Sequence, residues 1–234
     1  MMNGLRMSTT LSRGERRGWF VLIMRSVTRM LLFPFFRLET AGKENLPQKS
    51  AFVLLPKHQR WEDIPLLGLG TPRPLYYLAK YELFKNPLSN WFFRGLGGIP
   101  LNRERPLESR HSLKAMIEFL KGGEGFVVFP EGTYYSDKVG PARAGVVRLI
   151  LSRLELPFIP VGINYLRQGW RIVVRINFGK PVYADPRASA NEFLDFVMEE
   201  IAQLSGLQAN SNQNSAIIIK RKNRCLNSKM YLSE

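Results

Sequence analysis

The sequence predicts one α/β domain, a mixed and mostly parallel sheet flanked by helices, with an N-terminal interfacial membrane helix segment in front of it. Three observations carry that prediction. Beyond residue 40, short apolar runs bounded by Pro, Gly and Asn alternate with helix-length amphipathic stretches. Two of those runs end in polar strings, PKHQRWED at 56–63 and FPEGT at 129–133. Ahead of them, Trp19 to Phe36 reads WFVLIMRSVTRMLLFPFF, apolar and aromatic but interrupted by Arg25 and Arg29. With 234 residues, 45% of them hydrophobic, one domain with a sizeable core is accommodated and two would be cramped. The expected partition is a basic, membrane-associating segment over 1–38, a catalytic domain over 39–207 and a polar, disordered tail over 208–234.

Taken in order, the first element is the stretch from Trp19 to Phe36. A spanning helix needs roughly 20 apolar residues with few charges. Two arginines one turn apart and Pro34 leave this one too short, and it has no small-residue cleavage site of a signal peptide. A helix lying in the interface is expected, with arginines toward headgroups and Trp19, Phe20, Leu22, Ile23 and Met30 to Phe33 toward acyl chains. Arg13, Arg16 and Arg17 add attraction to an anionic membrane surface. The alternative is an ordinary amphipathic helix packed on the domain's own core.

Strands are expected at Ala51 to Leu55, Leu75 to Ala79, Gly98 to Leu101, Phe126 to Phe129, Phe158 to Asn164 and Arg171 to Phe178. Helices are expected at Glu62 to Leu69, Leu88 to Gly95, Leu107 to Lys121, Ala142 to Leu154 and Asn191 to Leu204. Pro56 stops the first strand, and Asp63-Ile64-Pro65 opens a helix because proline is tolerated in a first turn. The last two strands are too close for a crossover helix and form a hairpin or flanking strands. His111 falls near the start of a helix whose apolar face is Leu113, Met116, Ile117 and Leu120, which places it at the surface. Trp91, Phe92 and Phe93, after Asn86-Pro87, are either core or the lining of an acyl-chain tunnel.

Composition narrows the function. The net charge of +15 implies a polyanionic partner, but basic residues are not interleaved with aromatics on one face, so no nucleic acid is expected. Cys225 is the single cysteine, which leaves no disulfide framework and no cysteine-rich zinc site. No metal or bound cofactor is implied. Gly95 to Pro100, GLGGIP, lacks the last glycine of a dinucleotide fingerprint, and there is neither a Walker loop nor a G-x-S-x-G elbow.

His58 sits in a strand-to-helix loop at the sheet edge where open α/β folds place ligands. Positions five apart point away from each other on one continuous helix, so it is the loop that lets Asp63 reach back to one ring nitrogen. The other nitrogen is then a general base. The alternative is that Asp63 is only a helix cap and His58 a surface residue. In FPEGT, Glu131 and Thr133 flank Gly132, where backbone can approach a ligand closely; a plain turn capped by Thr133 is the alternative. Both strings follow strand ends, so both are expected on one rim of the sheet.

These residues resemble the glycerolipid acyltransferases, in particular the 1-acylglycerol-3-phosphate acyltransferases, over roughly residues 40 to 185. His58 and Asp63 match H-x4-D, Gly98 to Arg103 (GIPLNR) resembles a second block, FPEGT matches a third, and Leu156 to Ile163 (LPFIPVGI) looks like a fourth. The resemblance implies acyl transfer from a thioester, acyl-CoA or an acyl carrier protein (acyl-ACP), to the free hydroxyl of a lysophospholipid acceptor. Lysophosphatidic acid giving phosphatidic acid is the leading case; glycerol-3-phosphate or another lysolipid is the alternative. It implies His58 as base, Asp63 as its orienter, Lys80 and Arg103 on the acceptor phosphate, and Glu131, Gly132 and Thr133 around the glycerol. Peripheral or monotopic attachment to the cytoplasmic face of a membrane goes with it. One departure stands out: the third block commonly continues with arginine and serine, whereas Tyr134 and Tyr135 precede Ser136 here. The phosphate must then rely on Arg103, Lys80 or Arg143, or the acceptor differs.

Overall fold

The structure, a computed structural model, describes residues 18–102 and 109–208. Arg103, the basic cluster Arg13, Arg16 and Arg17, and the tail from residue 209 with Cys225 lie outside the described residues. Helix α1 (Gly18–Leu32) leads into strand β1 (Phe36–Ala41), followed by β2 (Phe52–Pro56), α2 (Asp63–Gly70) and β3 (Tyr76–Lys80). Next come α3 (Pro87–Gly95), β4 (Gly98–Leu101), α4 (Arg110–Lys121), β5 (Gly125–Val127), α5 (Ala144–Leu151), β6 (Phe158–Gln168), β7 (Arg171–Phe178) and α6 (Ala190–Ser205).

Seven strands form one sheet in the order β1-β7-β6-β2-β5-β3-β4. Every pairing is parallel except β6 with β7. The mixed, mostly parallel α/β sheet is therefore as expected, and the last two strands form the hairpin. Its two-residue turn places Gly169 at φ 62, the left-handed backbone that tight hairpin turns need. Strand β2 is buried along its whole length, which is why FVLLP reads as a continuous apolar run and not an alternation. One face of the sheet carries a core built from Val53, Phe126, Phe158, Met116, Val147 and Val197 under α4, α5 and α6. The other carries Leu54, Val127, Ile159, Val161 and Ile176 under Leu66 and Leu67 of α2.

Several boundaries move for local reasons. The N-terminal helix stops at Leu32, within the apolar stretch to Phe36 and as expected of a break at Pro34, which has no N–H to continue it; Phe35 N–H closes a turn onto Leu32 O at 3.0 Å. Strand β1, absent from the sequence reading, follows at once and pairs with β7 from Phe36↔Ile172 to Ala41↔Asn177. The sheet thus begins ahead of residue 39. Helix α5 starts at Ala144 because the Arg143 N–H is taken by Pro130 O at 2.8 Å. Ser189 and Glu192 form a reciprocal capping box at the start of α6, and Gly206, at φ 64, ends it.

Helix α1 is held to the body on one side and bare on the other. Phe20 packs on Trp91 and Phe92 of α3 at centroid separations of 5.0 and 5.9 Å, and a Cβ on Gly95 would lie 2.9 Å from its ring. The aromatic cluster of α3 is a dock for α1. Arg25 turns inward as well, contrary to the expectation that it faces headgroups: it donates to Thr71 O at 2.8 Å at the end of α2. Burial, then repulsion from Arg29, lowers its pKa. Trp19, Leu22, Ile23, Met30 and Leu31 remain exposed, each by more than half. Among the described residues no helix is long and apolar enough to cross a membrane.

Candidate active site

Strands β2, β5, β3 and β4 run the same way, so the loops after them gather at one edge of the sheet. That edge holds His58 after β2, the FPEGT turn after β5 and Lys80 at the end of β3. The loop from Lys57 to Glu62 folds back on itself, and Asp63 organises it. Asp63 Oδ2 accepts from Gln59 N–H at 2.6 Å, Arg60 N–H at 2.8 Å and, with the imidazole as donor, His58 Nδ1 at 3.0 Å. Its other oxygen accepts from Tyr165 O–H at 2.5 Å. Asp63 is fully buried and is the first residue of α2, where the helix dipole favours an anion. A carboxylate held this way fixes the His58 tautomer with a proton on Nδ1. Nε2 has no partner among the described residues and is available for proton transfer.

The imidazole ring is confined between two aromatic rings. Phe129 stacks on it at 3.9 Å between centroids, and Tyr134 lies against it at 4.4 Å with a 59° tilt. Tyr134 is half exposed and forms one wall of the approach to the histidine.

Glu131 is placed differently from the expectation that it binds the glycerol of the acceptor. It is 1% exposed, and its oxygens accept four hydrogen bonds from three groups. Lys57 Nζ reaches both oxygens at 2.9 Å, His58 N–H reaches Oε2 at 2.9 Å, and Gly140 N–H reaches Oε1 at 2.6 Å. Its side chain has no exposed surface with which to meet a ligand. Lys57, wholly buried, also donates to the carbonyls of His58 at 3.1 Å and Tyr135 at 2.6 Å, and Tyr135 N–H returns a bond to His58 O at 3.0 Å. Burial lowers the Lys57 pKa, and the Glu131 carboxylate opposes that shift. The two strings are therefore joined by a buried ion pair that fixes the backbone of His58.

Gly132 turns the chain at φ 69, and Thr133 is exposed beyond it. Lys80 is also exposed; its ammonium lies 3.8 Å from Glu82 and makes none of the hydrogen bonds around His58. His111 is exposed in the first turn of α4 and makes none of the hydrogen bonds around His58. Among the described residues no group of three or more His, Cys, Asp or Glu side chains could hold a metal ion.

Tyr165 escaped the sequence reading, since nothing in NYLRQ distinguishes it. Its ring lies 4.8 Å from the Arg60 guanidinium, and its hydroxyl is the donor to Asp63. Burial first, and then the charge of Asp63, raise its pKa well above the ordinary 10.0; burial does the same at Tyr77. Both phenols keep their protons in the folded chain at a pH where the unfolded chain loses them. Folding stability is therefore fully present below about pH 10 and falls above it, at about 1.4 kcal/mol per pH unit for each phenol. In denaturant titrations between pH 9 and 11, Tyr165→Phe is expected to flatten that slope. An unchanged slope would exclude Tyr165 as a contributor.

Comparison with known proteins follows the same lines. A family model described as Acyltransferase matches residues 37–164. A 1-acyl-sn-glycerol-3-phosphate acyltransferase of Bacillus subtilis is 40% identical over 147 residues, 61% of this chain and 72% of that one. A chloroplastic enzyme of the same name from Brassica napus is 30% identical over 82% of this chain and 58% of its own. A lyso-ornithine lipid O-acyltransferase of Pseudomonas aeruginosa is 35% identical over 52% of this chain and 46% of its own. Among solved structures, the 1-acyl-sn-glycerophosphate acyltransferase PlsC of Thermotoga maritima superposes with a TM-score of 0.64. It is 27% identical, with 85% of this chain and 84% of that one covered.

Proposed function

The chain belongs to the acyltransferase family, and we propose that it moves a fatty acyl group from a thioester to the free hydroxyl of 1-acylglycerol-3-phosphate, giving phosphatidic acid. The observation that carries the reading is the His58–Asp63 pair, with Nδ1 held at 3.0 Å and Nε2 left open. His58 Nε2 takes the proton of the acceptor hydroxyl as its oxygen attacks the thioester carbon. A carbon–oxygen bond forms, the tetrahedral intermediate collapses, the carbon–sulfur bond breaks, and the thiolate leaves with the proton from the imidazolium. Asp63 holds the ring and stabilises the imidazolium between those events. Attack is direct, so no acyl-enzyme forms.

Lys80 and Arg103 supply positive charge for the acceptor phosphate, and Arg143 is placed beside the FPEGT turn by the bond from its N–H to Pro130 O. Gly132 and Thr133 border the acceptor, whereas Glu131 braces the loop that presents His58. The bare face of α1 rests in the interface of a membrane, at its cytoplasmic side, so that the sheet edge meets lipid acceptors there.

A second acceptor class is favoured by one specific observation. Tyr134 stands against His58 where the third block commonly carries an arginine, and tyrosine brings a hydrogen bond but no fixed charge. A lysolipid without a phosphomonoester is the acceptor under that reading. The test is thiol release from acyl-CoA and from acyl carrier protein by the detergent-solubilised chain, against lysophosphatidic acid, glycerol-3-phosphate and a phosphate-free lysolipid. Release dependent on lysophosphatidic acid supports the first reading, and dependence on the phosphate-free lysolipid alone supports the second. Release that needs no acceptor overturns both.

A further inference from the structure

On the α2 face of the sheet, α1, β1 and α2 border a cavity of about 580 Å³. Its lining includes four cations, Arg29, Arg37, Lys43 and Arg171, and no carboxylate, over an apolar floor to which Leu66 and Leu69 contribute. Two of the cations are already engaged. Arg37 lies 3.3 Å from Glu39, which also pairs with Arg175, and Arg171 donates to the carbonyls of Phe33 and Phe36 while its guanidinium covers the Phe33 ring. The Arg171 Nε is buried and without a partner among the described residues. The other two cations, Arg29 and Lys43, are exposed, and no described residue pairs with their side chains. Arg29 adds to the lowering of the Arg25 pKa, as expected where positive charge is left uncompensated.

Beside this hollow, the end of α1 and the turn after it bare Met30, Leu31, Phe33 and Phe35, all more than 60% exposed. A cationic hollow next to an apolar ledge matches a molecule with an anionic head and hydrocarbon tails. Free phosphate would leave the ledge bare. None of the residues at 56–63 or 129–133 lines the cavity, so its occupant is not the acceptor being acylated.

We propose that this cavity holds the phosphate headgroup of an anionic phospholipid of the bilayer, at a site separate from the one that carries the chemistry. The proposal rests on α1 lying in the membrane interface. A lipid seated there touches α1, β1 and α2 together, and α2 begins with Asp63. Occupancy therefore braces the helix that carries the carboxylate behind His58.

The test is sedimentation of the full chain with phosphatidylcholine vesicles, with and without phosphatidylglycerol. The parent binds both, and more strongly with phosphatidylglycerol. Arg29→Gln with Lys43→Gln keeps the neutral-vesicle binding but loses about thirtyfold of the anionic binding, about fivefold for each cation near a charged surface. Lys114→Gln with Arg153→Gln removes the same charge beside the opposite face and costs less than about threefold, since screening confines the effect to roughly 8 Å. Arg29→Lys with Lys43→Arg retains the anionic binding. Equal losses in the two glutamine pairs, or none in the first, overturn the cavity as a lipid site and leave the α1 reading intact. Failure of the parent to bind either vesicle overturns both.

Discussion

Acceptor-dependent thiol release falls by about 10²- to 10⁴-fold in His58→Ala, the usual worth of a positioned general base. The side chain is nearly buried, so the variant also opens space between the Phe129 and Tyr134 rings that sandwich it. His58→Gln separates the two effects, because an amide fills much of that space but takes up no proton near neutral pH. Both variants are expected to show the same collapse in kcat, with the acceptor KM changed by less than about threefold. Asp63→Asn is expected to lower kcat through the ring's orientation. One of its two oxygens becomes an N–H₂, so either the Tyr165 O–H on Oδ1 or the three N–H groups on Oδ2 lose their acceptor. Thiol release at the parental rate in His58→Gln would sink the base assignment.

The second large effect concerns stability. Lys57→Met leaves the Glu131 carboxylate buried opposite a thioether, and removing one partner of a buried ion pair costs about 3–5 kcal/mol. At about 2–4 °C per kcal/mol for a domain of this size, Tm drops by roughly 10 °C. Lys57→Met combined with Glu131→Gln removes both charges; the single amide oxygen still accepts from one of the two N–H groups, His58 on Oε2 or Gly140 on Oε1, so the double variant is expected to recover part of the loss. Activity is not expected to recover with it. Lys57 also holds the carbonyls of His58 and Tyr135, and without those bonds kcat stays about tenfold down while the acceptor KM is unchanged. Full activity in the double variant would show that the pair serves stability alone. Thermal melts and steady-state kinetics on the same preparations decide it.

The loop around His58 was legible in the sequence because its determinants are local. A buried run stopped by Pro56 and a helix opened by Asp63-Ile64-Pro65 leave little freedom, and Asp63 meets His58 only five residues away. Where partners are distant in sequence, legibility ended. Tyr165 reaches Asp63 across 102 residues, and Lys57 reaches Glu131 across 74. Glu131 was read as facing a ligand because a carboxylate beside a glycine in a turn normally faces out. What turns it inward is register. Leu54 sits opposite Val127 in the parallel pair β2 and β5, which brings Lys57, one residue past β2, alongside the turn that holds Glu131, four residues past β5. A lysine directly after one buried strand and a glutamate in the turn after another become a recognisable pair only once the two strands are known to be neighbours.

Strand β1 was missed for a related reason. FRLETA follows a phenylalanine-rich stretch that blends into the helix before it, and among the described residues its only ladder partner is β7. The aromatic cluster of α3 showed the same limit: composition offered core or tunnel, whereas Phe20 from another part of the chain decides its use.

That pairing of β1 with β7 also sets an order of events during synthesis. The ion pair between Glu39 and Arg175 spans 136 residues, so at about 5–20 residues per second the edge strand waits roughly seven to thirty seconds for its neighbour to be made. Within that interval Phe20 of α1 has no α3 to pack on until residue 95 has been added. A nascent chain caught at residue 80 would carry the helix and its aromatic face with no fold to hide them.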